Sequence, residues 1–211
     1  MAVAASFLLV LLLSITGYVT NQWIRSNNIV QTYSSFSGKS KVILPDGSVV
    51  WLHKQTTLEY SSSVWNNQRK VRLNGEACFD VTKDKSRPFI VQSHGVDVKV
   101  YGTVFNVDAR KEKENVSVSL LSGSVEVSTG NETRLIVPGE EASCAKNTGQ
   151  IEVEKKNVAF EALWAQESIR FEKKSIKELS DYLSRWYDVK IILDPSIPES
   201  RSHLPRQVAP T

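Results

Sequence analysis

Cysteine, histidine and methionine are scarce in this 211-residue chain: two, three and one, respectively. Cys78 and Cys144 decide little by themselves. They remain open either to pairing across an exported domain or to service as small buried hydrophobes. His53, His94 and His203 are scattered. No His-x-His pair or nearby acid offers the ligand spacing of a barrel metal site, so no metal ligand is assigned. Ser61, Ser62 and Ser63 lack a Gly-x-Ser-x-Gly setting, and Tyr101-Gly102-Thr103 lacks the further glycines of a phosphate loop. Cys78 has no nameable base beside it. No residue is therefore assigned to catalysis or to a cofactor, and the sequence does not read as an enzyme.

Charge of one sign is also missing. The formal net charge is +3, and basic residues are interspersed with acids, as in Asp108 to Glu114. No basic stripe studded with aromatics follows a phosphate backbone, so nucleic acid is not expected as a direct partner. Before Arg25 there is no charged side chain at all. Ala2 to Val19 supplies about eighteen mostly apolar residues, the length that crosses a bilayer. Tyr18 and Trp23 stand where an interfacial aromatic belt falls. A basic start and an Ala-x-Ala cleavage site are lacking, which favours a retained transmembrane helix over residues 1–24 rather than a cleaved leader. Arg25 follows the span and nothing basic precedes it, so charge bias alone gives a poor guide to orientation.

What the chain has in quantity is short alternating runs. After a polar linker (25–40), KVIL, VVWL, KVRL, EACFDV, PFIV, VDVKVY, TVFNVDA, VSVSLL, SVEV, RLIV, EEASC and QIEVE follow one another as far as Glu154. Turn signals separate them at Asp46-Gly47, Asn74-Gly75, Gly102, Gly123 and Gly139. This is the pattern of an all-β sandwich or roll over residues 41–156. Within EACFDV, alternation sends Ala77, Phe79 and Val81 into the core and Glu76, Cys78 and Asp80 outward, with Asn74-Gly75 as the turn that opens the strand. Glu76 and Asp80 would stand roughly 13 Å apart on a straight strand, too far to share one metal ion.

From about Asn157 the period changes. Ile176, Leu179, Leu183 and Trp186 form one stripe of an amphipathic helix, and Ser175 with Glu178 forms a capping box at its start. With strands near Ser168 to Glu172 and Val189 to Leu193, residues 157–195 read as a small β-α-β module. Prolines then favour a disordered tail over 196–211. The fold class is mainly β, with an N-terminal transmembrane helix and a small α/β C-terminal module.

Leu44 to Tyr60, Arg69 to Val91, Val98 to Arg110, Val116 to Val127 and Leu135 to Ala142, in that order, resemble the FecR family of transmembrane anti-sigma regulators, in particular its Bacteroidetes branch. Phe171 to Ile191 is similar to the family's C-terminal periplasmic module, which is like the signalling domain of TonB-dependent receptors. The resemblance implies a single-pass protein of the bacterial inner membrane with its body in the periplasm. It implies contact with a TonB-dependent receptor's signalling domain and with an extracytoplasmic-function (ECF) sigma factor, in the regulation of iron or glycan uptake. No cofactor is implied. Ile176, Leu179, Leu183, Trp186 and Tyr187 are the interface candidates. Against the family pattern, the sequence is expected to lack the cytoplasmic sigma-binding domain and the end of the C-terminal module. The rival reading is a membrane-anchored structural or adhesion β-module.

Overall fold

The computed structural model describes residues 10–21, 29–62, 68–158, 163–165, 175–187, 189–194 and 196. Thirteen strands join in one hydrogen-bonded sheet that folds over on itself and nearly closes into a barrel. They are β1 (Ile29–Ser35), β2 (Ser40–Ile43), β3 (Val49–Leu52), β4 (Thr56–Ser62), β5 (Arg69–Asp80), β6 (Phe89–Ser93), β7 (Val96–Val100), β8 (Val104–Ala109), β9 (Asn115–Ser122), β10 (Val125–Ser128), β11 (Thr133–Ile136), β12 (Glu140–Ala145) and β13 (Ile151–Lys155). One half runs β1-β4-β5-β6-β7-β10-β11 and the other β2-β3-β5-β8-β9-β12-β13, so that β5 belongs to both. All these pairings are antiparallel except β5 with β6.

β5 explains the architecture. Its first half, through Asn74, pairs with β4 and β6, and its second half, from Gly75, pairs with β3 and β8. Asn74-Gly75 is therefore not a hairpin turn but the point where one continuous strand changes halves. Gly75 has φ +120°, and a Cβ there would lie 2.8 Å from the Thr56 Cα. The Thr56 hydroxyl accepts the Glu76 N–H at 3.0 Å and donates to the Glu76 carbonyl at 3.2 Å. That clamp needs a residue without a side chain beside it, so long-range pairing overrides the local turn signal. Gly102 works more conventionally: φ is +139° in the bend between β7 and β8, where the Lys83 backbone passes too close for any Cβ. Gly47, Gly123 and Gly139 also occupy turns, each with positive φ.

Residues of both halves meet in one core, whose largest fully buried members include Phe79, Phe89 and Phe105. Phe79 stacks on Phe105 with centroids 5.1 Å apart and meets Phe89 edge-on at 6.1 Å. The inward set is as expected: Ala77, Phe79 and Val81 are buried. Of the outward set only Asp80 is exposed, whereas Glu76 and Cys78 are covered on their own side.

Two strands escape a reading based on apolar alternation. β1 lies inside the expected linker and pairs along its whole length with β4. Both are serine- and threonine-rich, and β4 contributes only Leu58 and Tyr60 to the core, so neither displays a full apolar row.

At the N-terminus, residues 10–21 are helical and exposed. Among the described residues no helix is long and apolar enough to cross a membrane, and the rest of the expected 1–24 span lies outside them. At the other end the helix Ile176–Tyr187 forms as expected. Its capping box is reciprocal: the Ser175 N–H donates to Glu178 Oε2 at 2.8 Å, and the Glu178 N–H donates to Ser175 Oγ at 3.2 Å. The expected strand at 168–172 lies outside the described residues, as does the tail beyond Ser196. Residues 189–193, expected as the closing strand, form none. Their N–H groups turn back to the helix end, Val189 to the Ser184 carbonyl at 3.0 Å and Ile191 to Ser184 Oγ at 3.2 Å, while Val189, Ile191 and Ile192 stay exposed.

Candidate functional site

The face of the second half-sheet that points away from the core carries the unusual chemistry. Strand register fixes its rows. Trp51 lies opposite Cys78, Cys78 opposite Asn106 and Asn106 opposite Ser119, and beside this row Glu76 lies opposite Asp108. Because β3 and β8 alternate, Val50, Leu52, Phe105 and Val107 fill the core while Trp51, Asn106 and Asp108 project the other way. A short 3₁₀ turn, Leu163–Ala165, closes over this face. Trp164 and Ala165 pack with Cys78, Trp51 and Leu121, and the Trp164 ring meets His53 edge-on at 5.1 Å.

Beside this apolar cover lies a charge cluster. Arg110 grips Asp108 with two hydrogen bonds, at 2.9 and 2.7 Å, and approaches Glu76 Oε2 at 3.5 Å. Lys113 adds a second cation to Asp108, and Asn106 Nδ2 donates to Glu76 Oε1 at 3.1 Å. Burial, followed by repulsion from Asp108, raises Glu76 to about 7, against the pull of Arg110, Asn106 and Lys113. Burial also opposes ionisation of Asp108, but the bonds from Arg110 and Lys113 overcome it and hold that carboxyl low. His53 is lowered by burial and then by Arg110 and Lys54. A polar pocket of about 330 Å³ opens at the rim, between His53, Asn74, Gly75 and Arg110.

This arrangement gives a pH prediction. The folded chain holds a proton on Glu76 that the unfolded chain, near the ordinary value of 4.5, has already released. Between these two values the native state binds more protons, so the stability linked to Glu76 is present at low pH and lost as pH rises towards 7. Glu76→Gln is expected to flatten that decline, read as urea midpoints from pH 5 to 8. An unchanged slope would show that Glu76 is ionised throughout.

Burial keeps both thiols protonated in the folded chain. Burial, followed by Asp80 and Glu76, pushes Cys78 up to about 12, and burial with Glu132 pushes Cys144 up to about 11. They do not pair: both are buried and free, Cys78 under the Trp164 cover and Cys144 in the central core. The sheet separates the two environments, so of the two alternatives it is the small buried hydrophobe that matches both positions. Among the described residues no group of three or more His, Cys, Asp or Glu is placed to hold a metal ion.

The interface candidates form a separate feature. Ile176, Leu179 and Leu183 are half-buried on the C-terminal helix, and the side chains of Trp186 and Tyr187 lie outside the described residues. Sequence reasoning missed Trp51, His53, Asn106 and Trp164. The available signal was Trp51 itself, a large aromatic at the outward position of VVWL, where a bare sheet face would carry a polar residue.

The chain matches the family model described as FecR protein over residues 31–157. Two crystal structures of a candidate anti-sigma factor from Parabacteroides distasonis ATCC 8503 are similar to it. The 1.65 Å structure has 33% identity and a TM-score of 0.62, covering 80% of each chain. The 2.50 Å structure has 32% identity and a TM-score of 0.63, covering 81% of each. No curated protein matches. With its sheet spanning the matched residues, the chain belongs to the FecR family.

Proposed function

We propose that this FecR protein is an anti-sigma signal transducer of the bacterial inner membrane. Residues 1–24 anchor it, the sheet and C-terminal helix lie in the periplasm, and the state of a TonB-dependent outer-membrane receptor is relayed by protein contact to an ECF sigma factor. The family match over 31–157, joined to the likeness with the Parabacteroides anti-sigma candidate over four-fifths of the chain, carries this reading. The chemistry agrees with it. The charged groups of the covered face bind one another, and the apolar stripe of the C-terminal helix offers a surface for protein contact.

Topology is the first test. Alkaline phosphatase fused after Asn157, at the end of the matched region, is expected to be active, because that enzyme works only when exported. Inactivity there, with activity from a cytoplasmic reporter at the same position, would overturn the assignment of the body to the periplasm.

A further inference from the structure

We infer that Leu163–Ala165 is a reversible latch on the outer face of β3, β5, β8 and β9, and that its release exposes Cys78. The occupant of the closed face is this chain's own segment, which lies between the sheet and the C-terminal helix in sequence. Among the described residues, Trp164 and Ala165 supply its apolar contact, the Trp164 ring meets His53, and the Lys39 amine donates to the Trp164 carbonyl at 3.4 Å. Four buried polar atoms, Trp51 Nε1, Trp164 Nε1, His53 Nδ1 and Asn106 Oδ1, have no hydrogen-bond partner among the described residues. Asn106 is 3% exposed, so its carbonyl has no ready access to water. Opening would give water access to the two indoles and to His53, whereas closing buries the Trp164 indole and covers Cys78 and Leu121. Apolar burial therefore favours the closed state while stranded donors and acceptors oppose it, which is the balance of an element that opens locally.

Opening would expose Trp51, Cys78 and Leu121. The inference does not depend on the receptor's identity, because its test reads only the thiols of this chain.

Alkylation of the full chain in detergent micelles, followed by peptide-resolved mass spectrometry, distinguishes Cys78 from Cys144. Cys144 lies in the central core and is released only when the sheets part. Cys78 is expected to react roughly tenfold faster than Cys144 in the unaltered chain, through local opening. Trp164→Ala is expected to raise the Cys78 rate by a further factor of roughly ten and leave Cys144 unchanged. Equal rates at the two thiols of the unaltered chain would overturn the latch. So would a Cys78 rate that Trp164→Ala leaves alone. If Trp164→Ala raised both rates together, the fold rather than the latch would have opened, and that result would also count against it.

Discussion

Phe79→Ala is expected to cost about 3–5 kcal/mol in urea unfolding, the range for removing a large aromatic side chain from a packed core. Phe79 is fully buried on the half of β5 that pairs with β3 and β8, and it touches ring partners from two other strands. Phe105 stacks against it from β8, and Phe89 meets it from β6, which pairs with the other half of β5. Its loss would leave a hole where the two half-sheets meet, and neither neighbour can close it without leaving its own strand register. Cys78→Ala, one residue away on the opposite face, removes only a small side chain and is expected to cost much less. The reverse order would mean that the faces of β5 had been exchanged.

Asp46→Ala is expected to be as severe, about 3–5 kcal/mol, because it leaves a buried guanidinium without its counter-ion. Arg69 and Asp46 have side chains 3% and 5% exposed, and Arg69 Nη1 meets Asp46 Oδ2 at 2.9 Å. Arg69 also donates to the Thr82 carbonyl at 2.9 Å and to the Arg87 carbonyl from Nε and Nη2, with its guanidinium over the Phe89 ring. Asp46 in turn shapes its own bend, accepting the Ser48 N–H at 3.1 Å and the Ser48 hydroxyl at 2.8 Å. One carboxylate therefore holds both a turn and a charge. The double variant Asp46→Ala with Arg69→Met removes both charges and is expected to lose less than the sum of the single variants. Additive losses would show that the two residues act independently.

These two sites mark what the sequence made legible. Alternation across EACFDV placed Phe79 inside, because a half-buried strand has only two faces. Asp46-Gly47 was legible as a turn because its hydrogen bonds are local. Its ion pair with Arg69 was not, since nothing in sequence links positions that meet only when two strands fold together. Asn74-Gly75 misled for the same reason: its local signal is a hairpin, and only Thr56, from another strand, explains why the chain continues straight. β1 and β4 were hidden by hydroxyl-rich faces. Glu76 and Cys78 were correctly assigned to the outward face but not recognised as buried, because Cys78 is covered by Trp164, far along the chain, and Glu76 by the Asn106 and Arg110 side chains of β8 and the residue after it. The helix Ile176–Tyr187 and its capping box were legible because both depend on residues within one or two turns. The strand expected at 189–193 failed because its apolar residues suit a sheet edge, yet its N–H groups find partners at the helix end.

Signalling by protein contact through the C-terminal helix, as proposed, is tested most directly by calorimetric titration of the full chain, in micelles, with the periplasmic signalling domain of a TonB-dependent receptor, the proposed partner. Saturable binding is expected, which the double variant Leu179→Asp with Leu183→Asp weakens at least tenfold, about 1.4 kcal/mol, while the β-domain's urea midpoint stays unchanged. Absence of binding by the unaltered chain, or equal affinity after both leucines are replaced, would contradict it.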